Sequence, residues 1–276
     1  MILIADSGST KTDWCLADQG KTIQRFTTSG INPYFQNAEE ITAVIRNDFD
    51  TRLASHPIDE IFFYGAGCAN PEKNSIVEGV LRQFRDVPVH IQSDLLGVAR
   101  SLCGHAPGIA CILGTGSNSC FYDGNKIIEN ISPLGFILGD EGSGAYLGKI
   151  LVGDLLKKQL PYDLSEKFYR ETGLDTPAIL ERVYRQPFPN RFLASLSPFL
   201  LQHIEEPEIY DLVYHAFQEF FTRNVMLYDY EDRDIHFVGS IAFHYKEVLR
   251  HAAENLGLYL GSVEVSPMEG LVRYHN

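Results

Sequence analysis

Two short glycine-hydroxyl turns constrain this chain more than any other feature: Asp6-Ser7-Gly8-Ser9-Thr10-Lys11-Thr12 and Gly114-Thr115-Gly116-Ser117-Asn118. Each lies between two apolar runs and so reads as the tip of a strand–turn–strand unit. Glycine at 8 and 116 lets the backbone turn tightly and lets its N–H groups approach an anionic ligand, while the flanking hydroxyls add donors. At an offset of 108, Asp6-Ser7-Gly8-Ser9 lies over Gly114-Thr115-Gly116-Ser117, with the apolar runs Ile2–Ala5 and Ala110–Leu113 ahead of them. The expectation is an internal duplication of α/β units that face a cleft, each with a phosphate-binding hairpin.

A length of 276 residues allows two domains of roughly 100 to 150 residues each. The formal net charge of −13 argues against a nucleic-acid or anionic-membrane partner, because phosphate backbones reward clustered Lys and Arg. A phosphate ligand would need local donors, and the two turns supply them. The five cysteines, Cys15, Cys68, Cys103, Cys111 and Cys120, show no CxxC spacing, which favours reduced thiols in the cytoplasm over a disulfide framework. The N-terminus meets Asp6 too early for a signal peptide, and no run approaches the ~20 apolar residues of a membrane span.

Three strands are expected at 2–5, 12–17 and 21–28, the second pair joined by the hairpin signal Asp18-Gln19-Gly20. Ile41, Val44, Ile45 and Phe49 share one helical face over 38–53. Strands at 61–65 and 87–92 then alternate with helices at 70–84 and from Asp94 through Leu102. The second half begins the same way, with strands at 109–113, 118–122 and 126–128. It departs into a helical insertion over about 141–230, then resumes with strand Asp234–Val238, a helix from Ala242 to Asn255 and a strand at 262–266. The expected division is 1–106 and 107–276, with a hinge near the cluster Gly104, Pro107 and Gly108.

The common nucleotide fingerprints fail. Gly148-Lys149 lacks the preceding glycine and following hydroxyl of a P-loop, and Gly65-Ala-Gly67-Cys-Ala-Asn70 lacks the third glycine of a dinucleotide loop. The nine histidines show no metal-ligand spacing. Asp6 beside the first turn would repel phosphate unless a cation stood between them, and Mg²⁺ suits that place; alternatively Asp6 caps its own turn. Asp94 ends a strand and precedes a helix, so it is either an N-cap or a base that takes a hydroxyl proton. Asn32 lies in a loop. Gly139-Asp140-Glu141-Gly142-Ser143-Gly144 precedes a helix, where its carboxylates suit the macrodipole and its glycines would admit a ligand to the backbone. Gly239-Ser240 follows a strand and is either a plain strand end or a nucleotide rest.

In order and approximate spacing, Asp6–Asp13, Ser93-Asp94, Gly114–Asn118, Gly139–Ser143 and Val238–Ser240 resemble the BadF/BadG-type ATPase family, most closely its N-acetylglucosamine kinase members. The resemblance covers nearly the whole chain. It implies the sugar kinase, Hsp70 and actin superfold, with two RNase H-like domains, and an ATP-dependent kinase acting on the 6-hydroxyl of an amino sugar. It carries ATP contacts onto Gly8, Ser9, Thr10, Lys11, Thr115, Gly116, Gly239 and Ser240, with Mg²⁺ at Asp6. It carries sugar contacts onto Asn32, Asp94, Ser117, Asn118, Leu134, Gly135 and Asp140, with Asp94 as the base. Sugar kinases of this superfold often form homodimers.

The sequence departs from the family's pattern in two places. Leu134 stands where animal members have Trp, and the C-terminal helix that returns to the first domain is expected to be short or truncated. A redox-activating branch of the family needs thiolates beside the glycine turns for an iron–sulfur cluster, whereas here the strand residue Cys111 is the nearest. A non-catalytic nucleotide or sugar sensor is a further alternative, one that the presence of Asp94 disfavours.

Overall fold

The computed structural model describes residues 1–8, 10–68 and 70–276, less the side chain of Asp50. The chain divides into two units. The first comprises Met1–Pro107, Asp123–Ile127 and Ser266–Asn276, and the second Gly108–Tyr122 and Ile128–Val265. The expected second domain, 107–276, differs from this division in two stretches: Asp123–Ile127 and Ser266–Asn276 fall in the first unit.

In the first unit β1 (Ile2–Ser7), β2 (Lys11–Asp18), β3 (Lys21–Ser29), β4 (Glu60–Gly65) and β5 (Val89–Ser93) form one sheet in the order β3-β2-β1-β4-β5. Short turns make β1, β2 and β3 antiparallel neighbours, whereas the helices Ala38–Arg52 and Pro71–Phe84 allow β4 and β5 to run parallel to β1. Side chains alternate across the sheet. Leu3, Ala5, Trp14 and Leu16 enter one core, and Ile4, Cys15, Ala17 and Tyr64 enter another. Both faces are therefore buried, which explains why β1 reads as a continuous apolar run.

The second of these cores is closed by Met268, Leu271 and Val272 of the helix Met268–Tyr274. This C-terminal helix completes the first unit. Arg25 links it to the sheet, bonding Glu269 at 2.9 Å and Asp13 at 2.7 Å.

The second unit repeats the plan. Strands β6 (Gly108–Leu113), β7 (Ser117–Tyr122), β8 (Ile127–Glu129), β9 (Asp234–Val238) and β10 (Tyr259–Glu264) form a sheet in the order β8-β7-β6-β9-β10, the same succession as in the first. The two orders match strand for strand, so the duplication read from the turns holds at the level of topology. The register differs from the expected offset of 108. The last paired residues are Ser7–Thr12 in one hairpin and Leu113–Ser117 in the other, offsets of 106 (113 − 7) and 105 (117 − 12), so the second turn is one residue shorter. Between β8 and β9 the chain is helical from Gly135 to Leu227 with short breaks.

Two further boundaries move. The helix expected from Ala242 to Asn255 is broken at Tyr245 into Ser240–His244 and Lys246–Asn255. The final strand begins earlier than expected and is bulged between Leu260 and Val263, where Gly261 passes tightly under the His236 ring.

Candidate functional site

In the first unit β1, β4 and β5 end in register, with Ser7 opposite Gly65 and Gly65 opposite Ser93. The carboxyl ends of parallel strands are where open α/β sheets place their ligands, because the loops and helix N-termini that follow converge there. Asp6 and Asp94 both lie at this edge. Burial and repulsion from Asp94 and Asp13 push the Asp6 carboxyl up to about 7, with Lys11 opposing. Burial also raises Asp94, while the Leu95 N–H, donating to its Oδ1 at 2.8 Å, acts the other way. The N-cap of helix Asp94–Cys103 is Ser93, whose Oγ accepts from the Leu96 N–H at 3.2 Å. Asp94 is therefore the first helical residue and not the cap, so the capping alternative for it falls.

The first turn is held from below by hydroxyls. Ser7 Oγ lies 2.6 Å from Thr12 Oγ1 and accepts from the Ile31 N–H at 3.1 Å, and Thr12 Oγ1 donates to the Ser29 carbonyl at 3.3 Å. The Gly8 N–H donates to the Lys11 carbonyl at 3.0 Å, leaving Gly8, Thr10 and Lys11 exposed at the tip. Ser9, also expected to contact ATP, lies outside the described residues. Asn32 follows β3 and is 9% exposed. Its Oδ1 accepts from the Tyr34 N–H at 3.0 Å, and its own N–H donates to Gln36 Oε1 at 2.7 Å.

In the second unit the turn Gly114–Gly116 is braced by the following helix. The Gly144 and Ala145 N–H groups, the first two of helix Gly144–Leu156, donate to the Gly114 and Thr115 carbonyls at 2.8 and 3.0 Å. Ser143 caps that helix through the Tyr146 N–H. The first N–H groups of the helix are thus engaged by protein acceptors. A Cβ at Gly139 would lie 2.2 Å from the Pro133 carbonyl oxygen, and one at Gly144 3.1 Å from Ala194 Cβ, so packing of protein on protein accounts for them. Asp140 sits under Gly116 with its Oδ1 accepting from the Ser117 N–H at 3.2 Å. Burial raises its carboxyl and that N–H opposes the rise.

Glu141 is also buried, paired with Arg223 at 2.7 Å. Asn118 Oδ1 accepts from the Ser119 N–H and from Asn130 Nδ2, each at 2.9 Å. Gly239 and Ser240 follow β9 beside β6. Gly239 lies so close to the Leu113 carbonyl that a Cβ would stand 2.2 Å from its oxygen, and Ser240 is exposed. Leu134, 60% exposed, and Gly135 open a one-turn helix ending in the exposed Ile137 and Leu138.

The site residues thus fall into two groups: Asp6, Gly8, Thr10, Lys11, Asn32 and Asp94 in the first unit, and Thr115–Asn118, Leu134, Gly135, Asp140, Gly239 and Ser240 in the second. In four of them one side-chain oxygen is held by a backbone N–H, from Tyr34 for Asn32, Ser119 for Asn118, Leu95 for Asp94 and Ser117 for Asp140. Each amide so fixed has its NH₂ as a donor, and each carboxylate has a second oxygen as an acceptor.

No family model and no curated protein matches the chain. Among solved structures it is similar over its whole length to a candidate N-acetylglucosamine kinase of Porphyromonas gingivalis, with 52% identity, 98% of that chain covered and a TM-score of 0.96. The chain belongs to the N-acetylglucosamine kinase family. This kinase shares its fold alone with two more distant structures. One is a candidate N-acetylglucosamine kinase of Chromobacterium violaceum (16% identity, 100% and 99% of the two chains, TM-score 0.73). The other is a glucokinase of Streptomyces griseus solved with glucose and AMPPNP (16%, 99% and 97%, TM-score 0.60). It is an ATP-dependent sugar kinase with the actin-like architecture that the five motifs implied. Among the described residues of the kinase no helix is long and apolar enough to cross a membrane.

Sequence reasoning missed two supports of this site. Asn130, which donates to Asn118 Oδ1 and to the Ser119 carbonyl, lies in a stretch with no motif. Asp140 was singled out for a sugar, yet its contact with the second turn spans 23 residues and leaves no local signal.

Proposed function

We propose that this kinase transfers the γ-phosphoryl group of ATP to the 6-hydroxyl of N-acetylglucosamine, with Asp94 as general base. The observation that carries the reading is the Asp94 carboxyl at the carboxyl edge of the first sheet, one oxygen fixed by Leu95 and the other left as an acceptor. Burial raises its basicity toward the pH at which a sugar hydroxyl must lose its proton. Asp94 takes that proton as the oxygen attacks, and the amide donors of Asn32 and Asn118 orient the sugar. The 52% identity to a candidate N-acetylglucosamine kinase supports this choice of sugar.

The exposed tips supply the phosphate contacts: Gly8, Thr10 and Lys11 in one unit, Thr115 and Gly116 in the other, with Gly239 and Ser240 toward the nucleoside. Phosphoryl transfer depends chiefly on such positioning and on charge stabilisation. Asp6 fits Mg²⁺. Among the described residues no group of three or more His, Cys, Asp or Glu is arranged to hold a metal, but Mg²⁺ commonly takes only one or two carboxylates and completes its shell with water and phosphate. The repulsion between Asp6 and Asp94 is a conflict that a cation relieves. Bound there, Mg²⁺ would neutralise phosphate charge. The five cysteines, which show no CxxC spacing, suit a reducing compartment, the cytoplasm.

The test is a phosphoryl-transfer assay with ATP over N-acetylglucosamine, glucosamine, N-acetylmannosamine and glucose, run on the wild type and on Asp94→Asn. Expected are a preference for N-acetylglucosamine and a kcat loss of roughly 10²–10⁴ in the variant with an unchanged melting temperature. A variant with wild-type kcat would remove Asp94 from the mechanism. A preference for glucose would overturn the sugar while leaving the kinase.

A further inference from the structure

Gly67 lies at the turn after β4, in the segment that fails as a dinucleotide loop. Its φ of +82° is a left-handed conformation that L side chains rarely adopt. Close approach constrains it as well. A Cβ there would stand 2.3 Å from Asn32 Oδ1, 3.0 Å from Asn32 Cγ and 3.0 Å from Tyr34 Cδ2. The nearest neighbour is thus the amide of a side chain that is itself fixed at both ends, by the Tyr34 N–H at Oδ1 and by Gln36 at the Asn32 backbone. Tyr34 is also tied to the same turn: Asn70 Nδ2 donates to its hydroxyl at 3.3 Å, and Lys73 lies 5.3 Å from its ring centroid. Any side chain at position 67 must displace the Asn32 amide.

We infer that Gly67 is a positioning residue for the sugar: its missing side chain is the seat on which the Asn32 amide rests so that its NH₂ is presented as a donor. The inference rests on the reading of Asn32 as a sugar contact. Gly67 itself touches no substrate in this account; it acts through Asn32, and its effect falls on sugar binding and not on ATP.

The experiment is a double-mutant cycle with Gly67→Ala, Asn32→Ala and the pair, measuring KM for N-acetylglucosamine, KM for ATP and kcat. Losing one neutral hydrogen bond costs about 0.5–1.5 kcal/mol, so each single variant should raise the sugar KM roughly two- to twelvefold. KM for ATP should stay put, and the pair should be no worse than Asn32→Ala alone, because the seat no longer matters once its occupant is gone. Gly67→Asn carries a Cβ but tolerates positive φ better than alanine. It should reproduce the KM effect, and it keeps the question answerable if the alanine variant does not fold. Multiplicative effects in the cycle, or an Asn variant with the wild-type sugar KM, would overturn the inference and leave only backbone strain at 67. If Asn32→Ala alone binds the sugar normally, it is the reading of Asn32 that fails, and the inference falls with it.

Discussion

The two glycine-hydroxyl turns occupy equivalent places in equivalent sheets, yet they are built differently. The first is supported by hydroxyls, with Ser7 and Thr12 bridging to the chain at Ser29 and Ile31, and burial and neighbouring carboxylates raise the proton affinity of its neighbour Asp6. The second is supported by a helix start and by the Asp140 carboxylate, and it carries no acid of its own before the turn. Duplication therefore preserved the scaffold while the supports diverged. In the proposed reading the acid chemistry collects in the first unit, and the second offers phosphate a turn whose carbonyls are already engaged.

The sharpest way to break this comparison is to remove a support from each side. Asp140→Ala leaves the buried Ser117 N–H without its acceptor, a loss of about 1–3 kcal/mol. It should lower the melting temperature by several degrees and raise KM for ATP more than tenfold, as measured by thermal denaturation and steady-state kinetics. Ser7→Ala removes the acceptor of the Ile31 N–H in the same way on the other side. A comparable fall in melting temperature is expected, now with a raised KM for the sugar as well, since Ile31 precedes Asn32. If Asp140→Ala were stable and unaltered in KM for ATP, the brace assigned to it would be wrong.

A difference in pH dependence should be next in size. In the folded state Asp6 binds its proton up to about 7, against about 3.9 for an ordinary aspartate. Between those values the native state holds more protons than the unfolded one, so stability is greatest at the acid end and falls as pH rises through the window. Asp6→Asn should therefore melt about 5 °C above the wild type at pH 8 and level with it near pH 4. The reverse order would mean that Asp6 is ionised and well solvated. The smallest effects belong to the exposed tips: Thr10→Ala and Thr115→Ala should each raise KM for ATP only a few-fold, without a change in melting temperature.

Much of this was legible in the chain because it is local. The apolar runs around Gly8 and Gly116, the hairpin at Asp18-Gln19-Gly20 and the spacing of the five motifs lead to both sheets and to the edge that carries Asp94. Helix and strand ends are set by neighbours: Ser93 takes the cap that Asp94 was free to take, and β10 is bulged where Gly261 meets His236. Contacts between distant segments left no trace, among them Asp140 beneath Gly116, Asn130 behind Asn118 and Gly67 beneath Asn32. In each of these pairs the residue that faces the proposed ligand was visible in a motif, while the contact that holds it joins segments with no shared local pattern.

The return of Met268, Leu271 and Val272 to the first unit also bears on how the protein is made. A ribosome that has released residues 1–107 has produced all five strands of the first sheet but not the side chains that close over Ile4, Cys15, Ala17 and Tyr64. That face must wait while the whole second unit is synthesised. At 5–20 residues per second the interval is on the order of 10 to 30 s, during which an apolar sheet surface is open to a chaperone or to another nascent chain.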